Sequence, residues 1–150
     1  MGGLRGGASG KRETLRGNSR GGCYSVLVKV GAGITLTVGR LGRRTFPSGY
    51  YVYTGRDTRS VESRIRRHLS KEKPCRWHID YLTSAEGVDV CKTVVHKTTA
   101  DKECDVNQRI SQLPGARILF QGFGSSDCRR GCGSHLVYFE KRPVLKTYAV

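Results

Sequence analysis

Residues 23–38 read CYSVLVKVGAGITLTV, and this stretch decides the class of fold. Its first part, residues 24–30, is rich in β-branched and apolar side chains, and residues 34–38 alternate between apolar and polar ones. Both patterns are typical of β-strands, and Gly31 and Gly33 supply a turn between them. The sequence therefore predicts a β-hairpin here.

Four more strands are predicted downstream. Residues 41–44 suggest a second turn, and the aromatic run at residues 50–53 predicts a third strand after it. Residues 88–95 begin with alternation, and residues 117–120 and 135–139 are short apolar runs. Each of these three segments predicts a strand.

Three helices are predicted between the strands. The first begins after Ser60, which suits an N-cap, and carries apolar side chains at four-residue spacing. Residues 76–82 predict a short second helix, and residues 102–113 predict a third, capped by Thr99 or Asp101. This order of strands and helices indicates one α+β domain, with a small, mainly antiparallel sheet flanked by helices.

Residues 1–21 differ from the rest in composition. They are dominated by Gly, Ser, Arg and Lys, with Leu4 and Leu15 as the only large apolar residues after Met1. Such a segment buries too little apolar surface to offset its ordering entropy. We expect a flexible basic tail over residues 1–21, either a leader or a loose phosphate-binding arm, and one domain over residues 22–150.

The charge of the chain points to polyanionic partners. Its 150 residues include 27 Lys and Arg against 12 Asp and Glu, a net charge of +15. This predicts attraction to nucleic acid or to an acidic membrane surface, without distinguishing an enzyme from a binding protein. No apolar stretch approaches the about 18 residues that span a bilayer. We expect a cytoplasmic protein, with nucleoid association as an option, and six reduced cysteines.

Three polar residues lie beside predicted apolar helix faces. Arg64 and His68 flank the stripe of the first helix about one turn apart, and Glu103 shares a face with Val106 and Ile110. Charged side chains near a core are costly unless they are paired or used. Each has an ordinary explanation by itself, such as a flank salt bridge for Arg64 or a favourable first-turn acid for Glu103.

Two tyrosine motifs place these residues in one pattern. GCY at residues 22–24 opens the first strand and YTG at residues 53–55 closes the third, followed by an Arg on the next helix and a Glu on a later one. This order resembles the GIY-YIG nuclease family. WHIDYL at residues 77–82, EC at 103–104, and GFGSSDC followed by SHLVYF within 122–139 resemble a branch of uncharacterised function. Members of that branch are sometimes fused to endonuclease III-type repair enzymes.

The resemblance covers about residues 22–140 and implies a GIY-YIG-like domain whose site surrounds one divalent metal. A strand pair, about residues 34–44, is inserted where compact members have a short hairpin. Glu103 is then implied as the ligand of Mg²⁺ or Mn²⁺. The residues that the resemblance implicates in catalysis are Tyr24, Tyr53, Arg64 and Glu103, with His68 at a position that is often His.

The chemistry of phosphodiester cleavage suits these residue types. A carboxylate binds a hard cation, which polarises the phosphoryl oxygen and activates water, and Arg64 can clamp a phosphate oxygen. Tyr24 is the favoured base or water-orienting group, with Tyr53 as its partner, provided that nearby cations lower its pKa from about 10. His68 is the alternative base, because the pKa of free imidazole is close to neutral.

The substrate surface is expected where basic and aromatic residues are interleaved, between residues 40 and 77. Trp77 is nevertheless expected in the core. DNA is favoured over RNA as the partner. The residues expected to bind nucleic acid are Arg56, Arg67, Lys71 and His78.

A second cluster consists of Asp127, Cys128, Cys132 and His135. Its C-x3-C-x2-H spacing is compatible with zinc if a fourth ligand is added, with Cys104 or Cys91 as candidates. Buried cysteines and a structural Asp in a Gly/Ser turn are favoured over that site, because cysteine packs readily as a small hydrophobe.

The sequence therefore predicts a divalent-metal-dependent endonuclease that cleaves DNA, in repair or on structured substrates. The alternatives are a nucleic-acid-binding module without catalysis and an RNA-processing protein.

Overall fold

The structure is a computed structural model that describes residues 21–125, 128 and 130–150. Most of the expected tail, residues 1–20, and the candidate Asp127 lie outside the described residues. The strands are β1 (Gly22–Val30), β2 (Ile34–Val38), β3 (Gly42–Phe46), β4 (Gly49–Asp57), β5 (Val88–Val95) and β6 (Leu136–Phe139). The helices are α1 (Val61–Leu69), α2 (His78–Thr83) and α3 (Glu103–Ser111). The predicted α+β class, with a mainly antiparallel sheet, is confirmed.

Strand β1 lies in the interior of the main sheet. All of its residues except Lys29 are buried, as expected for a strand covered on both faces. It pairs antiparallel with β4 on one edge and with β5 on the other, which gives the strand order β5-β1-β4-β6. The predicted hairpin between residues 24–30 and 34–38 is wrong, because both edges of β1 are occupied by these partners.

Strands β2 and β3 instead pair with each other in a separate two-stranded sheet. The inserted strand pair is therefore present between the two tyrosine motifs. The turn predicted at residues 41–44 lies earlier, in a 3-10 turn at Gly39–Leu41. The strand predicted at residues 117–120 is also wrong, since that segment makes only an isolated bridge between Arg117 and Tyr138.

Helix α1 begins as predicted, with the Ser60 hydroxyl accepting a hydrogen bond from the Ser63 N–H at 3.1 Å. Its apolar stripe is shorter than expected, because Leu69 at the end of the helix is 55% exposed. Helix α3 follows a 3-10 turn at Ala100–Lys102, and no side chain among the described residues caps it. Glu103 is the first residue of α3, directly after this turn.

Two apolar clusters cover opposite faces of the main sheet. Val26 and Val28 pack with residues of α1 and α2 on one face, whereas Leu27 packs with α3 and the C-terminal segment on the other. This alternation follows from the two-residue period of a strand. None of the helices in the described part of the chain is long and apolar enough to cross a membrane.

Candidate active site

The two tyrosine motifs meet because of the register between β1 and β4. Tyr24 lies opposite Gly55, and Val26 lies opposite Tyr53, so the tyrosines are diagonal neighbours on one face. Their ring centroids are 6.5 Å apart. The order of motifs in the sequence thus becomes a tyrosine pair at the start of β1 and the end of β4.

Gly55 provides the space into which this pair packs. A Cβ atom at position 55 would lie 2.5 Å from the Tyr24 Oη and 2.9 Å from the Tyr53 Cε2. Both rings therefore depend on the missing side chain. The sequence marked Gly55 only as the last residue of the YTG motif. The contacts show that its role is to leave space for the two tyrosine rings.

Replacing Gly55 with Ala is expected to destabilise the domain by about 1–3 kcal/mol, since the added methyl group overpacks a buried site. Urea unfolding followed by Trp77 fluorescence measures the change. Gly31→Ala, just beyond the other end of β1, is the control, because its Cβ would meet only Gly87 O, at an ordinary 3.7 Å. Equal unfolding midpoints for the two variants would contradict this role of Gly55.

Tyr24 and His68 form a buried pair. The Tyr24 hydroxyl and the His68 Nε2 share a hydrogen bond of 2.7 Å, and both side chains are essentially inaccessible to solvent. Burial raises the pKa of Tyr24 well above its usual value, although the Arg64 guanidinium opposes this. Burial also lowers the pKa of His68 to about 3. The expectation of a near-neutral His68 pKa is therefore wrong, and the neutral ring orients the Tyr24 hydroxyl.

Arg64 is held from two sides. Its Nη2 donates to Asp57 Oδ2 at 2.7 Å, and its guanidinium lies 4.0 Å from the centroid of the Trp77 ring. Burial alone would raise the pKa of Asp57, but the N–H groups of Ser60 and Arg59, with Arg64, lower it. The site thus contains a fixed, charged Arg with an acidic partner that the sequence had not indicated.

A groove of about 340 Å³ opens beside the tyrosine pair. It is lined by Tyr53, Arg56, Arg64, Arg76, Trp77, His78, Glu103 and Gly124. Three of the four residues carried over from the resemblance therefore share one cavity, with Tyr24 buried behind Tyr53. Trp77, which was expected in the core, packs partly against the core and also lines this groove.

Glu103 enters the groove from the start of α3. Its side chain is 15% exposed, with Oε1 lying 3.6 Å from Arg56 Nε and Oε2 lying 3.3 Å from His135 Nδ1. Burial alone would lower the pKa of His135, but the Glu103 carboxylate raises it to about 9. The carboxylate is therefore partly desolvated and surrounded by donors.

His78, which was expected to bind nucleic acid, lines the groove. Its Nδ1 accepts a hydrogen bond of 2.8 Å from the Gly124 N–H, and burial lowers its pKa. Gly124 has a φ of +67°, and a Cβ there would lie 2.9 Å from Tyr53 Cε1. This hydrogen bond ties Gly124 to the first residue of α2 beside the groove.

Two residues expected to bind nucleic acid lie elsewhere. Arg67 donates to the fully buried Asp80 at 2.8 Å and lies 4.7 Å from the Trp77 ring. Lys71 donates to the carbonyl groups of Ala85 and Val88. Neither lines the groove, because each is bonded to the α2 region or to the segment that leads into β5.

The second cluster gathers around the start of α3. The ligand atoms of Cys104, Cys128, Cys132 and His135 all lie within 4.8 Å of one another, so this cluster could hold a metal ion. Cys104 is therefore the fourth member, whereas Cys91 is exposed on β5. Thiol ligands suit a softer metal than Mg²⁺ or Mn²⁺. The favoured interpretation, cysteines that only pack, did not anticipate this convergence.

Comparison with known proteins identifies the family of the chain but assigns no function to it. No curated protein and no solved structure matches the chain. A family described as a domain of unknown function, DUF123, matches residues 23–149, which include nearly all of the described elements. The chain therefore belongs to the DUF123 family.

Proposed function

We propose that this domain is a divalent-metal-dependent endonuclease that cleaves phosphodiester bonds in DNA. The proposal includes membership of the GIY-YIG superfamily. The observation that carries it is the groove shared by Tyr53, Arg64 and Glu103, with Tyr24 packed directly behind. Those are the residues that the resemblance implicates, and elements far apart in the chain bring them together.

The groove suits a hard cation. Glu103 is the one carboxylate among the described groove-lining residues, and Mg²⁺ is often bound by one or two carboxylates with water and phosphate oxygens in the other positions. When bound, such an ion polarises the phosphoryl oxygen and lowers the pKa of water. Glu103 would hold it, with its second oxygen oriented by His135.

The arginines are arranged to bind the phosphate. Arg64 uses Nη2 for Asp57 and rests on Trp77, so its guanidinium plane is fixed before substrate arrives. A fixed guanidinium stabilises developing charge without reorganisation. Arg56 and Arg76 add positive charge to the same groove, which attracts a polyanionic substrate.

The tyrosines take different positions relative to the substrate. Tyr53 lines the groove, where its side chain can orient an attacking water. Tyr24 is buried, and its raised pKa keeps the hydroxyl protonated unless added positive charge in the groove lowers that pKa. The main role of the hydrogen-bonded Tyr24–His68 pair is therefore to support Tyr53 at the groove.

The testing experiment is a cleavage assay on labelled DNA and RNA that includes nicked, flapped and abasic duplexes. Products are expected from DNA with Mn²⁺ or Mg²⁺ and not with a chelator. Tight binding with no product under any metal would replace the proposal with the binding-module alternative. Cleavage of RNA in preference to DNA would replace it with the RNA-processing alternative.

Changing Arg64 to Ala is expected to slow single-turnover cleavage by about 10²-fold, since one fixed charge-stabilising group is lost. DNA affinity should fall much less, because other arginines remain in the groove. Arg66→Ala on the same helix is the matched control, because its side chain is 66% exposed and pairs with Glu62. Equal cleavage rates for the two variants would remove Arg64 from the mechanism.

A non-catalytic binding module is the second candidate, and one observation favours it. Trp77 lines the groove beside Arg64, whose guanidinium lies 4.0 Å from the Trp77 ring centroid. Aromatic rings beside cations suit phosphate contacts combined with base stacking. This candidate predicts salt-sensitive binding that is indifferent to divalent metal.

A further inference from the structure

We infer that Cys104, Cys128, Cys132 and His135 bind one Zn²⁺, and that the bound His135 positions Glu103 at the groove. Three thiols and one imidazole form a known set of structural zinc ligands. The cluster lies beside the proposed active site and contains none of the residues that line the groove. Its role in positioning Glu103 rests on the proposed function, whereas zinc binding does not.

Two of the distances between ligand atoms are close to those of a tetrahedral zinc site. Zn–S bonds of about 2.3 Å and a Zn–N bond of about 2.0 Å place ligand atoms about 3.5–3.8 Å apart. Here the Sγ atoms of Cys104 and Cys128 are 3.5 Å apart, and the Cys104 Sγ lies 3.9 Å from His135 Nε2. All pairs of ligand atoms fall within 4.8 Å. Small side-chain adjustments bring four such atoms around one ion.

The surroundings of the sulfur atoms also suit thiolate ligands. The Arg130 N–H donates to Cys128 Sγ at 3.4 Å, and the Gln108 side-chain amide donates to Cys132 Sγ at 3.8 Å. Such outer donors stabilise the negative charge on metal-bound sulfur. The chain turns between Cys128 and His135 through Gly131 and Gly133, which have φ values of +70° and +80°.

His135 links this cluster to Glu103. Its side chain is almost fully buried, with Nε2 facing the cysteines and Nδ1 in ion-pair contact with Glu103 Oε2 at 3.3 Å. A metal-bound histidine usually donates its other N–H to a carboxylate, which fixes its tautomer and orientation. Because Cys104 follows Glu103 directly, zinc would hold the start of α3 from the backbone as well.

Metal analysis of the full chain tests the site. The protein, purified under reducing conditions without a histidine tag, is expected to carry roughly one zinc per chain. Cys128→Ser should lose most of this zinc, whereas Cys91→Ser, an exposed cysteine outside the cluster, should retain it. If Cys128→Ser does not fold, cobalt exchanged into the wild-type protein should show thiolate-to-metal charge transfer and tetrahedral visible bands.

The contact between His135 and Glu103 is tested by measuring zinc affinity in competition with a chelator. Glu103→Ala should weaken zinc binding about 10–100-fold. Glu103→Gln should restore much of it, because an amide oxygen in place of Oε2 can accept a hydrogen bond from His135 Nδ1. Equal zinc affinity in both variants and the wild type would overturn the positioning role.

Three results would overturn the zinc site itself. The first is a wild-type protein that carries no metal and has a disulfide between Cys104 and Cys128. The second is a wild-type protein that carries iron in place of zinc. The third is an equal loss of zinc from the Cys128→Ser and Cys91→Ser variants. These measurements need no cleavage. A failed zinc site and a failed nuclease therefore give different results.

Discussion

Replacing Glu103 with Gln is expected to lower metal-dependent DNA cleavage by about 10²–10³-fold, the size of effect seen when one preorganised charge-stabilising group is lost. Gln has nearly the same shape but no charge, so it is a poor ligand for Mg²⁺ or Mn²⁺. No other carboxylate lines the groove among the residues that the structure describes. Single-turnover rates across a Mn²⁺ titration measure the effect.

The matched control for this loss is Glu62→Gln on α1. Glu62 pairs with Arg66 outside the groove, so its neutralisation should leave the cleavage rate near that of the wild type. Unfolding midpoints and zinc content accompany the rates, because Glu103 also contacts His135. Full activity in a folded Glu103→Gln variant would show that catalysis uses another site.

The sequence indicated residues that share the groove, but not the contacts that hold them there. Local patterns indicated the strands and helices that carry Tyr53, Arg64 and Glu103, and the motif order brought these residues into one hypothesis. Asp57 was missed because its importance comes from contact with Arg64 across seven residues of chain. Cys104 remained one of two candidates, since only tertiary packing brings α3 to the loop around Cys128.

The fold shows the same division between local and long-range information. The alternation of Ile34–Val38 identified β2 as a strand, but not the strand with which it pairs. The two edges of β1 are occupied by β4 and β5, and each of them forms a longer ladder with β1 than β2 forms with β3. Helical spacing likewise did not predict the ion pair of Arg67, because its partner Asp80 lies on a different helix.

Replacing Asp80 with Ala is expected to produce the largest loss of stability, about 3–5 kcal/mol, because it leaves the largely buried Arg67 without its ion-pair partner. Asp80 is fully buried, and Oδ2 accepts from Arg67 Nη2 and from the N–H groups of Arg76 and Trp77. The substitution therefore also releases the segment that carries Trp77 into the groove. Urea unfolding near neutral pH measures the loss.

Asp105→Ala is the control for Asp80→Ala. Asp105→Ala removes a partner of Arg130 from an exposed pair, and less than about 1 kcal/mol should be lost. Burial alone would raise the pKa of Asp80, but Arg67 and the N–H groups of Trp77 and Arg76 lower it. The carboxylate therefore stabilises the fold above its ordinary pKa of about 4, and this contribution disappears as pH falls through the lowered value. The difference between wild type and Asp80→Ala should shrink on acidification, and a difference that stays constant would exclude the buried ion pair as its source.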